Sequence, residues 1–174
     1  MSVEDPLPEM ILKYMGVFDL DKLFHLMYEW FIQQGYELTE GKYKHKIPTP
    51  KGAEQDIDWM AKRKVTHYIM YQIKINFRLW DLKDVEVVKG DEKKTLAFAK
   101  LKITFNPTLV LDYENKFKGK FLGDLHKFFI KLVYNQELDN VYGDQLYYRV
   151  YKLHQAIKEH LDMETTYNAS EGRW

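Results

Sequence analysis

The chain has 174 residues, of which 45% are hydrophobic and 16% aromatic, so it is long and apolar enough for one domain with a substantial core. Its 26 basic and 26 acidic residues cancel, which excludes a global field that would draw it to nucleic acid or to a membrane. The sequence contains no cysteine, which excludes disulfides and thiolate metal sites and favours a cytoplasmic location. No apolar run reaches the roughly 18 residues that a membrane-spanning helix needs, and the acidic start predicts no signal peptide.

The first 35 residues are predicted to be mainly helical. Pro8 is suited to the first turn of a short helix that runs to Met15 and ends at Gly16. Asp19 is a suitable N-cap for a second helix, which Gly35 ends. The apolar residues of this second helix recur at helical spacing and form one broad face: Leu20, Leu23, Phe24, Met27, Trp30 and Phe31.

The strongest pattern in the chain predicts a long strand from Val65 to Leu79. Its odd-numbered residues are almost all apolar and its even-numbered residues are mostly polar, which is the alternation of a strand with one buried face. His67 falls on the apolar side and is expected in the core. The same alternation begins at Ile57, and an unbroken strand from there would be about 75 Å long at roughly 3.3 Å per residue. We therefore expect a bulge or bend near Lys62–Lys64.

Further strands are predicted on both sides of this one. Tyr36–Ile47 is strand-like, and Lys89–Lys94 is a turn that leads into a returning strand, Thr95–Phe105. A hairpin about that turn pairs odd with odd positions, so both strands present their apolar residues to the same side. Asn106-Pro107 is expected to interrupt the returning strand, with a further strand from Leu109.

The last third of the chain predicts two more helices. One covers Asp124–Tyr134, and the other is capped by Asp144. The apolar seam of the final helix consists of Leu146, Val150, Leu153, Ile157 and Leu161. Together these elements predict a single α+β domain over residues 1–164, with an antiparallel sheet of about four to five strands and three main helices covering one face. A polar tail, residues 165–174, follows.

The even-numbered face of the predicted hairpin collects the residues that we consider for binding. Its cations are Lys74, Arg78, Lys100 and Lys102, and its flanking aromatic residues include Trp80 and Phe98. Cations beside aromatic rings are typical of single-strand nucleic-acid binders, but exposed apolar patches more often mark protein interfaces. The sequence therefore predicts a non-catalytic interaction domain. Its partner is expected to be an acidic protein surface or a second copy of the chain, in preference to nucleic acid, and no cofactor is expected.

Asp58, Gln72 and Lys74 support an alternative hypothesis. A helix, an aspartate and, fourteen residues later, a Gln-x-Lys sequence follow one another in this order. This order resembles the metal-dependent nuclease core of restriction endonucleases, over roughly residues 19–76. The resemblance implies phosphodiester cleavage, with Asp58 and Gln72 holding Mg²⁺ and Lys74 steadying the attacking water or the phosphate. The other interpretation is a loop acid and two solvent-facing side chains on an amphipathic strand.

Two further classes of site were considered. The six histidines show no H-x-x-x-H or H-E-x-x-H spacing, so no metal site is predicted from them. The large residues on the odd-numbered face are also compatible with a carrier for an apolar ligand, although they equally describe a filled core.

Overall fold

A computed structural model describes residues 2–49, 52–89, 92–116, 128 and 141–163. The helices in these ranges are α1 (Leu20–Gln33) and α2 (Asp144–His160). The strands are β1 (Val3–Pro6), β2 (Met10–Phe18), β3 (Glu37–Thr49), β4 (Gly52–Lys64), β5 (Ile69–Lys89) and β6 (Glu92–Leu111). They form one antiparallel sheet in the order β1-β6-β5-β4-β3, and β2 also pairs with β6.

The predicted α+β class with an antiparallel sheet agrees with this structure, but the predicted element count is wrong. The described residues hold six strands and two helices, whereas about four to five strands and three main helices were expected. Apart from Phe128, the helix predicted for Asp124–Tyr134 lies outside the described residues, as does the polar tail, residues 165–174.

The segment predicted as a short helix after Pro8 is the strand β2. Its even-numbered residues, such as Leu12, face the core, and Leu12 lies opposite Ile103 of β6. Pairing with a strand some ninety residues further along the chain supplies hydrogen bonds that no local pattern shows. This long-range pairing overrides the local helix signals at Pro8 and Gly16.

The predicted bend near Lys62–Lys64 is a complete reversal of the chain. The backbone N–H groups of Val65 and Thr66 both donate to the carbonyl oxygen of Ile69, at 3.0 and 3.1 Å. The Thr66 hydroxyl oxygen accepts from the N–H of Ile69 at 2.9 Å, which closes the turn without glycine or proline. The predicted strand therefore starts at Ile69, and the residues before the turn form β4 beside it. His67 lies in the turn and is exposed, so its prediction as a core residue is wrong.

The long hairpin β5–β6 pairs as predicted over its first half only. Odd-numbered residues face each other from Ile69 opposite Leu111 to Leu79 opposite Leu101. The register then shifts between Trp80 and Lys83, and in the outer half of the hairpin an odd-numbered residue faces an even-numbered one. Such a shift is a β-bulge, which adds residues to one strand only.

Asn106-Pro107 does not interrupt β6, which continues to Leu111. Pro107 lies opposite Ile73 of β5, and its carbonyl oxygen accepts from the N–H of Leu7 at 3.0 Å. Because the N–H and C=O of one strand residue point to the same side, the donor that proline lacks would face the gap between β1 and β2. The break that Pro107 predicts therefore does not lie in β6. It lies in the neighbouring segment, between β1 and β2.

The core lies between the odd-numbered face of β5 and β6 and the two helices, as predicted. α1 buries Leu23, Met27 and Phe31, and α2 buries Leu146, Val150, Leu153 and Ile157. The Asp19 carboxylate accepts from the N–H of Lys22 at 3.1 Å, which confirms it as the N-cap of α1. Gly143 is the N-cap residue of α2, so Asp144 is its first helical residue and not the predicted cap.

Candidate functional site

The side of the sheet opposite the helices, which we call the open face, carries the cations predicted for binding. Lys74, Arg78 and Lys100 are exposed there, and Lys102 is half-buried. Lys102 of β6 lies between Arg78 of β5 and Lys13 of β2, opposite both in the sheet register. Three cations from three neighbouring strands thus form one row across the sheet.

Two acids neutralise part of this face, and neither is an even-numbered residue of β5 or β6. Asp56 of β4 lies opposite Arg78, and its carboxylate is 3.8 Å from the Arg78 guanidinium nitrogen Nε. Asp81 has a φ of 57° within the bulge and forms a 2.8 Å ion pair with Lys100. The sequence prediction considered only the even positions of the hairpin, and therefore missed both acids.

Lys13 and Lys102 form no ion pair within the described ranges. Adjacent like charges on neighbouring strands repel each other and destabilise the sheet modestly. The β2–β6 half of the open face therefore has an excess of positive charge, whereas the β4 half carries the acids.

Exposed apolar side chains lie beside these two lysines. The outward-facing residues of β2 are Ile11, Lys13, Met15 and Val17, and the exposed fractions of its three apolar side chains are 40%, 65% and 41%. Sequence reasoning missed them because the segment was interpreted as a helix. The alternation that reveals β5 is missing here, because Lys13 is the only polar residue among the outward-facing positions of β2.

The two aromatic residues predicted for binding are both half-buried. Trp80 lies opposite Lys100 and lines a shallow groove of about 320 Å³ with Asp56 and Arg78. Phe98 lies opposite Val17, at the outer end of the apolar stripe of β2. Both residues therefore lie on the side of the cationic row that is nearer the β5–β6 turn, Trp80 beside the acidic half of the face and Phe98 beside the apolar stripe.

Asn76 organises the acidic half. Its side-chain nitrogen donates to the carboxylates of Asp56 and Asp58, each at 2.7 Å. One amide group therefore holds two neighbouring carboxylates of β4 in place, where they would otherwise repel each other.

The three residues of the nuclease-like motif are distributed along two strands. Asp58 and Lys74 line one groove of about 410 Å³. Gln72 is buried and lies opposite Lys62, whereas Asp58 lies opposite Asn76. Gln72 is therefore offset by four positions along β5 from the residue opposite Asp58, which corresponds to about 13 Å. The structure brings Asp58 and Lys74 together but places Gln72 apart from them.

No group of three or more histidine, aspartate and glutamate side chains that could hold a metal ion occurs in the described part of the chain. In the same part, no helix is long and apolar enough to cross a membrane.

No protein-family model matches the chain, no curated protein is detectably similar to it, and no solved structure matches it. The function is therefore inferred from the geometry of the described residues.

Proposed function

We propose that this protein is a non-catalytic interaction domain that binds the acidic surface of another protein through the β2–β6 half of its open face. The observation that carries the proposal is a pair of adjacent lysines, Lys13 and Lys102, that form no ion pair with the acids in the described part of the chain. They lie beside the exposed side chains of Ile11, Met15 and Val17. An acidic and apolar surface would relieve the repulsion between the lysines and cover the apolar stripe. A cytoplasmic location is part of this proposal, because a reducing compartment fits a chain without cysteine.

Two features favour a protein partner over nucleic acid. The most exposed apolar side chains of the face are aliphatic or Met side chains, which do not stack on bases as aromatic rings do. In addition, Asp56 and Asp58 lie on the neighbouring half of the same face, where they would repel a phosphate backbone that followed the row of cations.

The proposal is tested by measuring the binding of two labelled probes, a short polyglutamate peptide and a single-stranded oligothymidine, by fluorescence anisotropy at low and physiological salt. We expect the peptide to bind, with an affinity that decreases as salt increases. Lys102→Glu should weaken this binding about tenfold or more, because it replaces attraction with repulsion at the centre of the row.

Lys22→Glu is the matched control, because it makes the same charge change at an exposed position of α1. Equal losses in the two variants would show that the effect is one of net charge and would contradict the proposed surface. Tighter binding of the oligothymidine than of the peptide, lost in Lys102→Glu, would instead assign the face to nucleic acid.

A second copy of the chain is the other partner that the sequence predicts for the open face. Sedimentation equilibrium over a wide concentration range tests it. A dimer that Met15→Asp dissociates would replace the acidic partner by self-association, because Met15 is the most exposed apolar side chain of β2.

A further inference from the structure

The outer edge of β2 carries backbone groups that point away from the sheet. β2 pairs with β6 on one side, and no strand pairs with its other side in the part of the sheet that the structure describes. The carbonyl oxygen of Pro107 accepts from Leu7 on the β1 side of β6, whereas the N–H of Asp112, just after β6, donates to Tyr68 on the β5 side. Because backbone groups alternate along a strand, the odd-numbered residues of β6 hydrogen-bond toward β1 and β2.

These odd-numbered residues of β6 lie opposite the even-numbered residues of β2, as Ile103 lies opposite Leu12. The even-numbered residues of β2 therefore hydrogen-bond with β6. The N–H and C=O groups of its odd-numbered residues point to the outer edge. A contact with α2 agrees with this direction, since His154 Nε2 lies 3.4 Å from the carbonyl oxygen of Ile11. The groups of Lys13, Met15 and Val17 remain for another strand.

The two edges of the sheet differ in how they are protected. On β3, Lys42 and Lys44 are exposed, and the register with β4 shifts between Glu40 and Tyr43. Lysines and bulges are the features by which natural sheets prevent another strand from pairing with an edge. β2 pairs with β6 in one register over all nine residues, contains no proline, and has Lys13 as its only charged residue. The edge of β2 is therefore the one suited to a further strand.

We propose that β2 binds an extended segment of the partner protein as an additional antiparallel strand, with a carboxylate of that segment beside Lys13 and apolar side chains beside Met15 and Val17. This inference rests on the proposed function and specifies how the acidic partner is held. In strand addition, main-chain hydrogen bonds provide affinity and alternate side chains provide specificity. The antiparallel direction follows the strand pairs of the described sheet.

The charge of β2 favours a different protein over a second copy of the chain. β2 contains no acidic residue, so two copies paired through β2 would bring no carboxylate to Lys13. They would instead place two copies of the Lys13–Lys102 pair close together, and like charges on neighbouring strands destabilise a sheet.

Synthetic peptides test the role of the main chain. The probe is about as long as β2, with one glutamate flanked at two-residue spacing by valines, and threonines at the positions between. In an antiparallel pair, the valines and the glutamate share the open face with the odd-numbered residues of β2, and their N–H groups face β2. N-methylation of these residues should weaken binding about tenfold or more in fluorescence anisotropy. N-methylation of the threonines, whose N–H groups face away, is the control and should leave the affinity nearly unchanged.

Amide hydrogen exchange followed by NMR tests the same contact on the protein. The amides of Lys13, Met15 and Val17 should exchange quickly in the free chain and about tenfold or more slowly when the peptide is bound. The amides of Leu12 and Tyr14, which face β6, should exchange slowly in both states. Unchanged exchange at Lys13 and Met15 would overturn strand addition.

Met15→Pro removes the outward N–H at the centre of the edge, and Met15→Ala is its control, because it loses the side chain but keeps the N–H. The proline variant should bind the peptide about tenfold more weakly than the alanine variant. Both should have similar thermal unfolding midpoints, since this N–H forms no bond with β6. Unfolding of the proline variant alone would show that the N–H faces β6, and would overturn the proposal.

These outcomes are distinct from those of the proposed function. No binding of the unmodified peptide, or equal affinities of the two methylated peptides, would overturn strand addition. The binding surface would still stand if Lys102→Glu weakened the binding of polyglutamate. Polyglutamate binding that Lys102→Glu does not weaken would contradict the surface itself.

Discussion

Asn76 shows how a single residue determines the charge pattern of the open face. Its amide donates to Asp56 and Asp58 together, so it holds two carboxylates that no other described contact links. The alternation of β5 identified Asn76 as outward-facing, but the sequence could not reveal this role. The two acids belong to a different strand, and their position depends on the register between β4 and β5.

Asn76→Asp should therefore destabilise the protein by about 1–3 kcal/mol at neutral pH, because it removes a donor from two acceptors and places three carboxylates side by side. Urea denaturation of the native chain and the variant at neutral pH measures the loss. Equal unfolding free energies of the two proteins would contradict this role of Asn76.

Tyr36 makes the free energy of unfolding depend on pH in the alkaline range. Since burial raises its pKa to about 12, the phenol stays neutral in the folded chain while its unfolded counterpart ionises near pH 10. The unfolded state therefore releases the Tyr36 proton at a lower pH than the folded state does. The contribution of the neutral, buried phenol to the free energy of unfolding is present below about pH 10, and it is lost as the pH rises from about 10 to about 12.

Tyr36→Phe should accordingly flatten the decline of unfolding free energy between about pH 10 and pH 12 relative to the native chain. The groups that face Tyr36 are Arg63, Arg149 and Tyr71. Parallel curves for native chain and variant would show that Tyr36 titrates normally. Tyr28→Phe, at an exposed position of α1, is the control and should give a curve parallel to that of the native chain.

Among the helices and strands, the elements that are determined by neighbouring residues were predicted correctly, whereas those that depend on contacts with distant segments were not. α1 and the seam of α2 were correctly predicted, because caps and helical spacing are properties of neighbouring residues. β2 was missed because Pro8 and Gly16 imitate the ends of a helix, whereas its partner β6 is distant in sequence. The reversal at Val65–Tyr68 was missed because Thr66 closes it through its hydroxyl oxygen, in place of the glycine or proline that usually marks a turn.

The start of β4 packs closely against the bulge of β5, where Gly52 meets Asp81. Gly52 has a φ of +130°, and a Cβ added to it would lie 2.5 Å from the carbonyl carbon of Asp81. Gly52→Ala should therefore cost on the order of 3 kcal/mol or more, since both the backbone conformation and the contact exclude a side chain. Gly35→Ala is the control, because its φ is +74° but the nearest atom would be 3.9 Å away.

The control should cost only about 1–2 kcal/mol, the strain of a positive φ alone. Denaturant midpoints of the two variants measure the difference. If Gly52→Ala were no more destabilising than Gly35→Ala, the close contact between Gly52 and Asp81 would be contradicted.

At the scale of the whole molecule, the two faces of the sheet differ in what covers them. The helices α1 and α2 cover the odd-numbered face, whereas the open face presents its cationic row and the apolar stripe of β2 to solvent. The predicted binding residues Lys74, Arg78, Lys100 and Lys102 do lie on that face. The sequence could not show that Asp56 and Asp81 neutralise Arg78 and Lys100, nor that Lys13 joins the row, because both depend on strand order.

The most direct test of the proposed surface is a two-dimensional amide NMR titration of the full chain with the polyglutamate peptide. Binding at the β2–β6 half should shift the signals of Lys13, Met15 and Lys102 progressively, with small changes at Asp58 and at exposed α2 residues such as Tyr151. Shifts concentrated on α2, with Lys13 and Lys102 unchanged, would contradict the proposal.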